Sequence, residues 1–247
     1  MPRFFISPKD LSEGVARISG DDARHIARSL RMAVGDRITV CDGTGMEYDC
    51  SLSYIRDEEC LATVKSSVES SREPERKITL YMAYPKGDKL EIVTQKAVEL
   101  GASVIVPFES ERCIKRPAAD RQEKQTARLS RIAAEAAKQC GRALLPTVEA
   151  PISFPELVRR VAGSGEDSLT LFCYEGERTL SLKAALEGAE NPKSISVIVG
   201  SEGGFSPVEA EKIISAGALS VSLGKRILRC ETAPDYVLSA ISYFFEL

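Results

Sequence analysis

The sequence predicts an α/β fold in two parts: a small β-rich domain over residues 1–70, followed by an α/β domain with a mainly parallel sheet over residues 71–247. Short strands and turn residues fill the first part. The polar segment 66–77 reads as a linker, and strands alternate with helices from residue 78 onward. Such alternation is typical of a parallel sheet covered by helices.

In the first part, residues 37–41 form a strand candidate that turns at Asp42-Gly43-Thr44-Gly45 and returns over 46–54. Residues 61–64 predict a further strand. Residues 21–30 predict a helix that begins at an aspartate, a residue type favoured at helix N-termini.

The second part begins with the apolar strand 78–84. A helix follows, which Asp88 is expected to cap and Gly101 to end. Residues 104–106 are the next strand. The helix 120–140 carries small and apolar residues on one face and basic residues largely elsewhere, so it can face core and solvent at once.

Three more strands are predicted at 169–174, 195–199 and 219–223. The second of these is the most apolar and is therefore expected at the centre of the sheet. Ser206-Pro207-Val208-Glu209 predicts a helix start with a cap, a proline at the first helical position and a capping-box glutamate. The last helix runs from about Thr232 to the C-terminus.

The composition excludes several classes of protein. The chain has 247 residues, of which 43% are hydrophobic and 28% charged, as in soluble globular proteins. No apolar run is long enough to span a membrane, and residues 1–8 do not resemble a signal peptide, so we expect a cytoplasmic protein. Seven cysteines without a CxxC pair, and His25 as the single histidine, predict reduced thiols and no metal site.

The charge is unevenly distributed along the chain. The net charge is −3, yet residues 111–142 contain nine basic and four acidic residues. This pattern fits either a solvated helix face or a stripe that binds phosphates.

Three unusual loops follow predicted strands, where ligands bind in open α/β sheets, at residues 173–176, 200–205 and 223–233. Residues 200–205 hold three glycines, which allow a backbone to approach a ligand closely, although a plain tight turn fits equally well. The dinucleotide pattern GxGxxG and the P-loop are absent. Residues 223–233 concentrate two arginines and a lysine ahead of a helix, a pattern that fits either a capped helix or a binding loop.

These loops and further motifs, in the same order along nearly the whole chain, resemble the ribosomal RNA small subunit methyltransferase E family. The matching segments are Arg3-Phe4-Phe5, His25 to Arg31, Gly35-Asp36, Asp42 to Gly45, Lys96 to Gly101, Glu135 to Arg142, Gly200 to Phe205 and Leu223 to Ala233. Two positions depart from the family pattern: Ser201 stands where the family has proline, and Cys230 where it has threonine.

The resemblance implies a SPOUT-type α/β domain with a deep trefoil knot and an N-terminal PUA-like RNA-binding domain. It implies a homodimer, with the apolar last helix at the subunit interface. The implied reaction is methylation of N3 of one uridine in 16S rRNA of the small ribosomal subunit, with S-adenosylmethionine as cofactor.

The resemblance also implies roles for residues. Proton removal from uridine N3, or stabilisation of the resulting anion, falls to Glu231, Arg229 or Arg112, whereas His25 lies in the other domain and is a poor candidate. The cofactor residues are Leu171, Tyr174, Gly200, Glu202, Gly203, Leu223, Gly224, Ile227, Leu228 and Ala233. The RNA-binding residues are Arg3, Arg31, Lys115, Arg116, Lys138 and Arg142, acting chiefly on phosphates.

Two other functions stay open at this point. A nucleotide-dependent oxidoreductase would use Gly200–Gly204 as its phosphate loop, although GxGxxG is missing. A non-catalytic RNA-binding or ribosome-assembly factor would keep the fold and lose cofactor binding, which the departures at Ser201 and Cys230 could accompany.

Overall fold

The computed structural model describes residues 1–114, 119–177 and 179–247. They form two compact units. The first comprises Met1–Glu73 and Ala137–Leu145, and the second Pro74–Ala136 and Pro146–Leu247. The segment Ala137–Leu145, which the sequence analysis assigned to residues 71–247, clusters with the first unit.

The first unit is built on a six-stranded sheet in the order β1-β4-β5-β6-β3-β2. Its strands are β1 (Arg3–Phe5), β2 (Leu11–Ser12), β3 (Val15–Ser19), β4 (Arg37–Cys41), β5 (Met46–Ile55) and β6 (Glu59–Glu69). Strands β1 and β4 pair in parallel, and the other neighbours are antiparallel. A short helix, α1 (Gly20–Arg24), continues as a π-helical turn, His25–Ser29.

The predicted hairpin and third strand of this unit are confirmed as β4, β5 and β6. Strands β1, β2 and β3 were not predicted, because segments of two to five residues carry too few positions for alternation to be seen. They complete the sheet over a core in which Phe4, Ile18, Ile26, Ile38 and Leu52 are buried.

The second unit contains a six-stranded parallel sheet in the order β12-β10-β11-β7-β8-β9. Its strands are β7 (Lys77–Ala83), β8 (Val104–Phe108), β9 (Thr147–Val148), β10 (Ser168–Cys173), β11 (Ser194–Val199) and β12 (Leu219–Val221). The prediction of a central apolar strand over 195–199 is confirmed, because β11 lies third in the sheet and pairs on both sides.

The helices that accompany this sheet in the described ranges are α2 (Lys89–Glu99), α3 (Ala119–Cys140), α4 (Phe154–Ala162), α5 (Leu182–Glu187), α6 (Pro207–Ser215) and α7 (Thr232–Phe245). The predicted start of α6 is confirmed, with the Ser206 and Glu209 side chains and backbones bonded reciprocally. The predicted cap of α2 is wrong: Asp88 has φ −98° and ψ 10°, outside the extended conformation of a capping residue, and its side chain makes no capping bond.

Three further findings concern membrane-spanning helices, metal sites and disulfides. Among the described residues, no helix has the length and apolarity needed to cross a membrane. In the same ranges, no group of three or more His, Cys, Asp or Glu side chains could hold a metal ion. The seven cysteines form no disulfide, and Cys140 alone among them is exposed.

Candidate active site

A cleft of about 1010 Å³ opens at the carboxyl edge of the second unit's sheet. Strands β10, β11 and β12 run in parallel and end at Cys173, Val199 and Val221, so the loops that follow them meet at this edge. These loops line the cleft. The strand-end rule thus places the three unusual loops of the sequence around one cavity.

In the glycine loop, defined here as residues 200–204, each of the three glycines lies where an added side chain would meet a neighbouring group. A Cβ at Gly200 would lie 2.9 Å from the Phe205 ring, and one at Gly203 would lie 2.9 Å from the Cβ of Arg112. Gly204 has φ +62°, and a Cβ there would meet the Glu175 carboxylate. The three glycines therefore let the loop pack closely against its neighbours while its backbone faces the cleft.

The start of α6, which follows the glycine loop, is occupied by protein groups. The Glu209 N–H donates to Ser206 Oγ over 3.3 Å, and Glu209 in turn accepts bonds from the N–H groups of Ser206 and Glu111. A buried carboxylate already sits at this helix end. The N-terminus of α6 is therefore satisfied by groups of the chain itself.

One lysine joins two carboxylates inside the cleft. Lys89, the first residue of α2, places its Nζ 2.9 Å from Oε1 of Glu202 and 3.0 Å from Oε2 of Glu231. Glu202 belongs to the glycine loop and also accepts the Lys86 N–H over 3.1 Å. Glu231 immediately precedes α7. A single ammonium group therefore connects the loops that follow β11 and β12.

The charges of this cluster reinforce one another. Burial raises the pKa of Glu231, but its own backbone N–H, Lys89 and Cys230 donate to it and together hold its pKa below the usual range. Burial likewise raises the pKa of Glu202, and Lys89 with two backbone N–H groups more than offsets it. Both carboxylates raise the pKa of Lys89. All three groups are therefore charged at neutral pH.

Cys230, one of the two departures from the family pattern, lies within this cluster. Its Sγ is 3.2 Å from Oε2 of Glu231, within reach for the thiol to donate a hydrogen bond. Burial is the main cause that raises the pKa of Cys230 to about 12, so the group is a thiol and a donor at neutral pH. A threonine hydroxyl could donate the same bond.

Most of the predicted cofactor residues come together in the cleft. Those that line it are Tyr174, Gly200, Glu202, Gly203, Leu223, Gly224, Ile227, Leu228 and Ala233. Leu171 does not line it, because this residue lies within β10 and its side chain is completely buried in the core. Ile227 is 82% exposed, an apolar side chain that stands open at the cleft.

The three predicted catalytic residues are also close to the cleft. Glu231 and Arg229 line it. Arg112 is exposed, and its Nη1 donates to the carbonyl oxygen of Gly203 over 3.1 Å, so it adjoins the glycine loop from outside.

The predicted RNA-binding residues divide differently. Arg3 and Arg142 have side chains only 9% and 5% exposed, and each is paired with a carboxylate 2.8 Å away, Glu47 and Glu73 respectively. Lys138 pairs with Asp22 over 2.8 Å. These ion pairs hold the first unit together, which argues against phosphate binding by these cations.

The other RNA-binding predictions have different outcomes. Arg31 is exposed, and its φ of +51° places it in a left-handed turn of the first unit. Lys115 and Arg116 lie outside the described residues.

Sequence reasoning missed Lys89. Its partners lie more than a hundred residues away along the chain, so no local pattern links them. One signal was present. A lysine at the first position of a helix is unfavourable beside the positive end of the helix dipole, so its presence there indicates carboxylates nearby.

Comparison with known proteins agrees with this geometry. Residues 72–242 match the family described as RNA methyltransferase domain, and residues 18–65 match the family described as RNA methyltransferase PUA domain. Ribosomal RNA small subunit methyltransferase E of Bacillus subtilis is 33% identical over 255 residues, which cover 100% of this chain and 98% of that protein.

Two further relatives extend the comparison. The protein of the same name from Synechocystis is 33% identical over 99% of this chain and 78% of its own length. The crystal structure of ribosomal RNA small subunit methyltransferase E from Neisseria gonorrhoeae, bound to S-adenosyl methionine, matches with a TM-score of 0.87. It is 30% identical and covers 99% of this chain and 98% of that one.

Proposed function

The chain belongs to the ribosomal RNA small subunit methyltransferase E family of RNA methyltransferases, and from this premise we propose that it methylates N3 of one uridine in 16S rRNA of the small ribosomal subunit. The observation that carries the proposal is the cleft at the carboxyl edge of the parallel sheet, bordered by the glycine loop and residues 223–233. Family membership replaces the oxidoreductase alternative. The cellular location that fits this substrate is the cytoplasm.

The residues present fit S-adenosylmethionine. Gly200 and Gly203 line the cleft and have no side chains, so their backbone groups are available to a ligand. Gly224 and Leu223 offer further backbone groups, and Ile227 is an exposed apolar surface of the kind an adenine ring would cover. When bound, the cofactor supplies a methyl group attached to a positively charged sulfur.

The cleft residues are better suited to stabilising the uracil anion than to accepting the proton of uridine N3. Uridine N3 is protonated at neutral pH and must lose its proton before or during attack on the methyl carbon. Glu231 is a weak base, because its pKa is lowered and both Lys89 and Cys230 lie within hydrogen-bond distance of its Oε2. Arg229 lines the cleft, and Arg112 adjoins it. We assign to Arg229 the stabilisation of the negative charge that develops on the uracil, and Arg112 contributes to it.

The same proposal assigns the two predicted domains different tasks. Residues 71–247 carry the cofactor cleft, and residues 1–70 contribute RNA contacts as a PUA-like domain. Of the predicted RNA-binding residues, Arg31, Lys115 and Arg116 remain candidates for phosphate contacts. Arg3, Lys138 and Arg142 act by holding the first unit together through their ion pairs.

A homodimer is part of the proposal, and its support is the outer face of α7. Val237, Leu238 and Ile241 of this helix are buried, yet Tyr243 is 75% exposed and Phe244 43% exposed. A helix apolar on two faces needs a second partner. A second copy of the chain satisfies that need with one surface used twice.

The deep trefoil knot implied by the family belongs to the proposal as well. Its support is the path of the chain: β12 lies at the edge of the sheet, and the segment after it returns past the cleft to α7, which contacts β11, α2 and α5.

The test is methyl transfer from labelled S-adenosylmethionine to small ribosomal subunits from a strain that lacks this enzyme. Naked 16S rRNA is run in parallel, and the modified nucleoside is identified by mass spectrometry. One 3-methyluridine per subunit is the expected product. Intact cofactor binding without transfer would point to a different RNA, and absence of both would favour the non-catalytic RNA-binding factor.

A further inference from the structure

Three cations lie at the mouth of the cleft. Lys225, Arg226 and Arg229 line the cleft and are exposed. Within the part of the chain that the structure describes, none of the three makes a side-chain hydrogen bond or an ion pair. They follow Gly224, whose φ of +111° turns the chain sharply after β12. We call residues 224–229 the basic rim.

The basic rim differs from cations elsewhere that look similar in sequence. Lys89 sits in the same cleft but is bound to two carboxylates. On α3, Arg128 pairs with Glu91. Ion pairing of this kind satisfies a cation within the protein, whereas an exposed unpaired cation is free to meet an external anion.

The position of the basic rim at the mouth of the cleft indicates which anion it would bind. Methyl transfer requires the target base to enter the cleft, so the RNA backbone on either side of that nucleotide must pass over the cleft's mouth. Its phosphates carry one negative charge each and have to cross the edge where the basic rim lies. Arg112 stands beside the glycine loop, so positive charge borders the cleft there as well.

We propose that Lys225 and Arg226 bind the RNA phosphates next to the target nucleotide and so dock the substrate at the mouth of the cleft. This inference rests on the proposed function, because it requires an RNA substrate whose base enters this cleft. It goes beyond that function by assigning the side chains of Lys225 and Arg226, which were not among the predicted cofactor-binding or RNA-binding residues, to docking of the substrate. Arg229, which lies closer to Glu231 along the chain, keeps its proposed role of stabilising the uracil anion.

The experiment compares the salt dependence of binding to small ribosomal subunits. Lys225→Ala and Arg226→Ala each remove one charge from the basic rim. Lys77→Ala is the matched control: Lys77 is exposed and begins β7, at the opposite edge of the parallel sheet from the cleft. Equilibrium binding is measured between about 50 and 200 mM salt. Affinity for S-adenosylmethionine and the melting temperature are measured for every variant.

Each rim variant is expected to flatten the slope of log affinity against log salt concentration by about 0.7 to 0.9, the value for one lost phosphate contact. Cofactor affinity and melting temperature should stay at wild-type values, and Lys77→Ala should keep the wild-type slope. An unchanged slope in both rim variants would overturn the proposal. So would equal flattening by Lys77→Ala, or a loss confined to cofactor affinity.

Failure of this inference is distinguishable from failure of the proposed function. Rim variants that flatten the slope, together with a wild-type protein that transfers no methyl group, would contradict the proposed reaction and leave RNA docking at the basic rim standing. Wild-type protein with full methyl transfer, and rim variants with wild-type slopes, contradicts the docking surface alone.

Discussion

At the scale of single residues, the cleft depends on one ammonium group between two carboxylates. Replacing Lys89 by methionine keeps an unbranched side chain, one heavy atom shorter, and leaves Glu202 and Glu231 without their shared counter-charge. Their pKa values, which Lys89 helps to lower, then rise because burial and mutual repulsion remain. We expect Lys89→Met to unfold at a lower temperature than the wild type at pH 7.

The sign of the pH dependence follows from those pKa directions. Carboxylates with lowered pKa contribute stability above their unfolded pKa of about 4.3, and that stability is lost as the pH falls through the folded pKa. Thermal unfolding followed from pH 7 down to about pH 3 should therefore show the gap in melting temperature between the wild type and Lys89→Met closing as the pH falls below about 4.3. Lys89→Arg should keep most of the wild-type behaviour, and a gap that stays constant with pH would indicate lost packing instead.

A second residue-scale prediction concerns Cys230, whose thiol lies 3.2 Å from Glu231. Cys230→Thr retains a donor at this position, so we expect methyl transfer at or above the wild-type rate. Cys230→Ala removes the donor and leaves the partly buried carboxylate one bond short, which costs about 1 kcal/mol and should lower the rate severalfold. Steady-state methyl transfer measures both variants, and equal rates for them would show that the donor has no role.

At the scale of elements, the glycine loop is held by close packing against the segment that carries Arg112. A Cβ at Gly203 would lie 2.9 Å from the Cβ of Arg112 and 3.0 Å from its carbonyl oxygen, so a substitution must push two backbones apart. We expect Gly203→Ala to weaken S-adenosylmethionine binding about tenfold or more, because small displacements of positioning groups are costly.

Gly165→Ala is the control for this prediction. An added Cβ at Gly165 meets no atom within 4 Å, and the residue is not in the left-handed region. Its only expected effect is a gain of about 0.4 to 1 kcal/mol from a less flexible unfolded chain. Calorimetry of cofactor binding compares the two variants. Equal affinities would mean that the loop tolerates displacement.

The same scale shows how far sequence patterns reach. Strands β10, β11 and β12 were predicted, and the rule that ligands bind at strand ends brought the glycine loop and residues 223–233 to one cleft. The ion pairs within that cleft could not be predicted from the sequence, because Lys89 meets Glu202 and Glu231 only in the folded chain. Asp88 has the sequence of a capping residue, but its backbone conformation does not permit the bond.

The property that was hardest to predict was whether a charged side chain is exposed or paired within the protein. Arg3 and Arg142 look like RNA-binding cations in sequence, and burial beside Glu47 and Glu73 converts them into structural ion pairs. Their partners lie 44 and 69 residues away, so the sequence offers no sign of the pairing. By contrast, the segment Lys225–Arg229 is as exposed as its composition suggests, because no carboxylate in the described ranges reaches it.

At the scale of the whole molecule, the proposed homodimer depends on the exposed face of α7. Phe244 and Tyr243 lie on it, whereas Val237 and Leu238 face the core of their own unit. Tyr243→Glu places a charge on the exposed face without touching that core. Burying an unpaired carboxylate in an interface is costly, so we expect the variant to be monomeric at concentrations where the wild type is dimeric.

Analytical ultracentrifugation gives the mass of each species, and far-UV circular dichroism checks that the variant is folded. Val208→Glu serves as the control, because Val208 is an apolar residue 57% exposed on α6 and carries no part of the proposed interface. It should leave the association state unchanged. A monomeric wild type, or a dimeric Tyr243→Glu, contradicts an interface built on α7. If the variant is monomeric and also loses methyl transfer while it keeps its fold, the cleft needs the second subunit, and the chain's activity belongs to the pair.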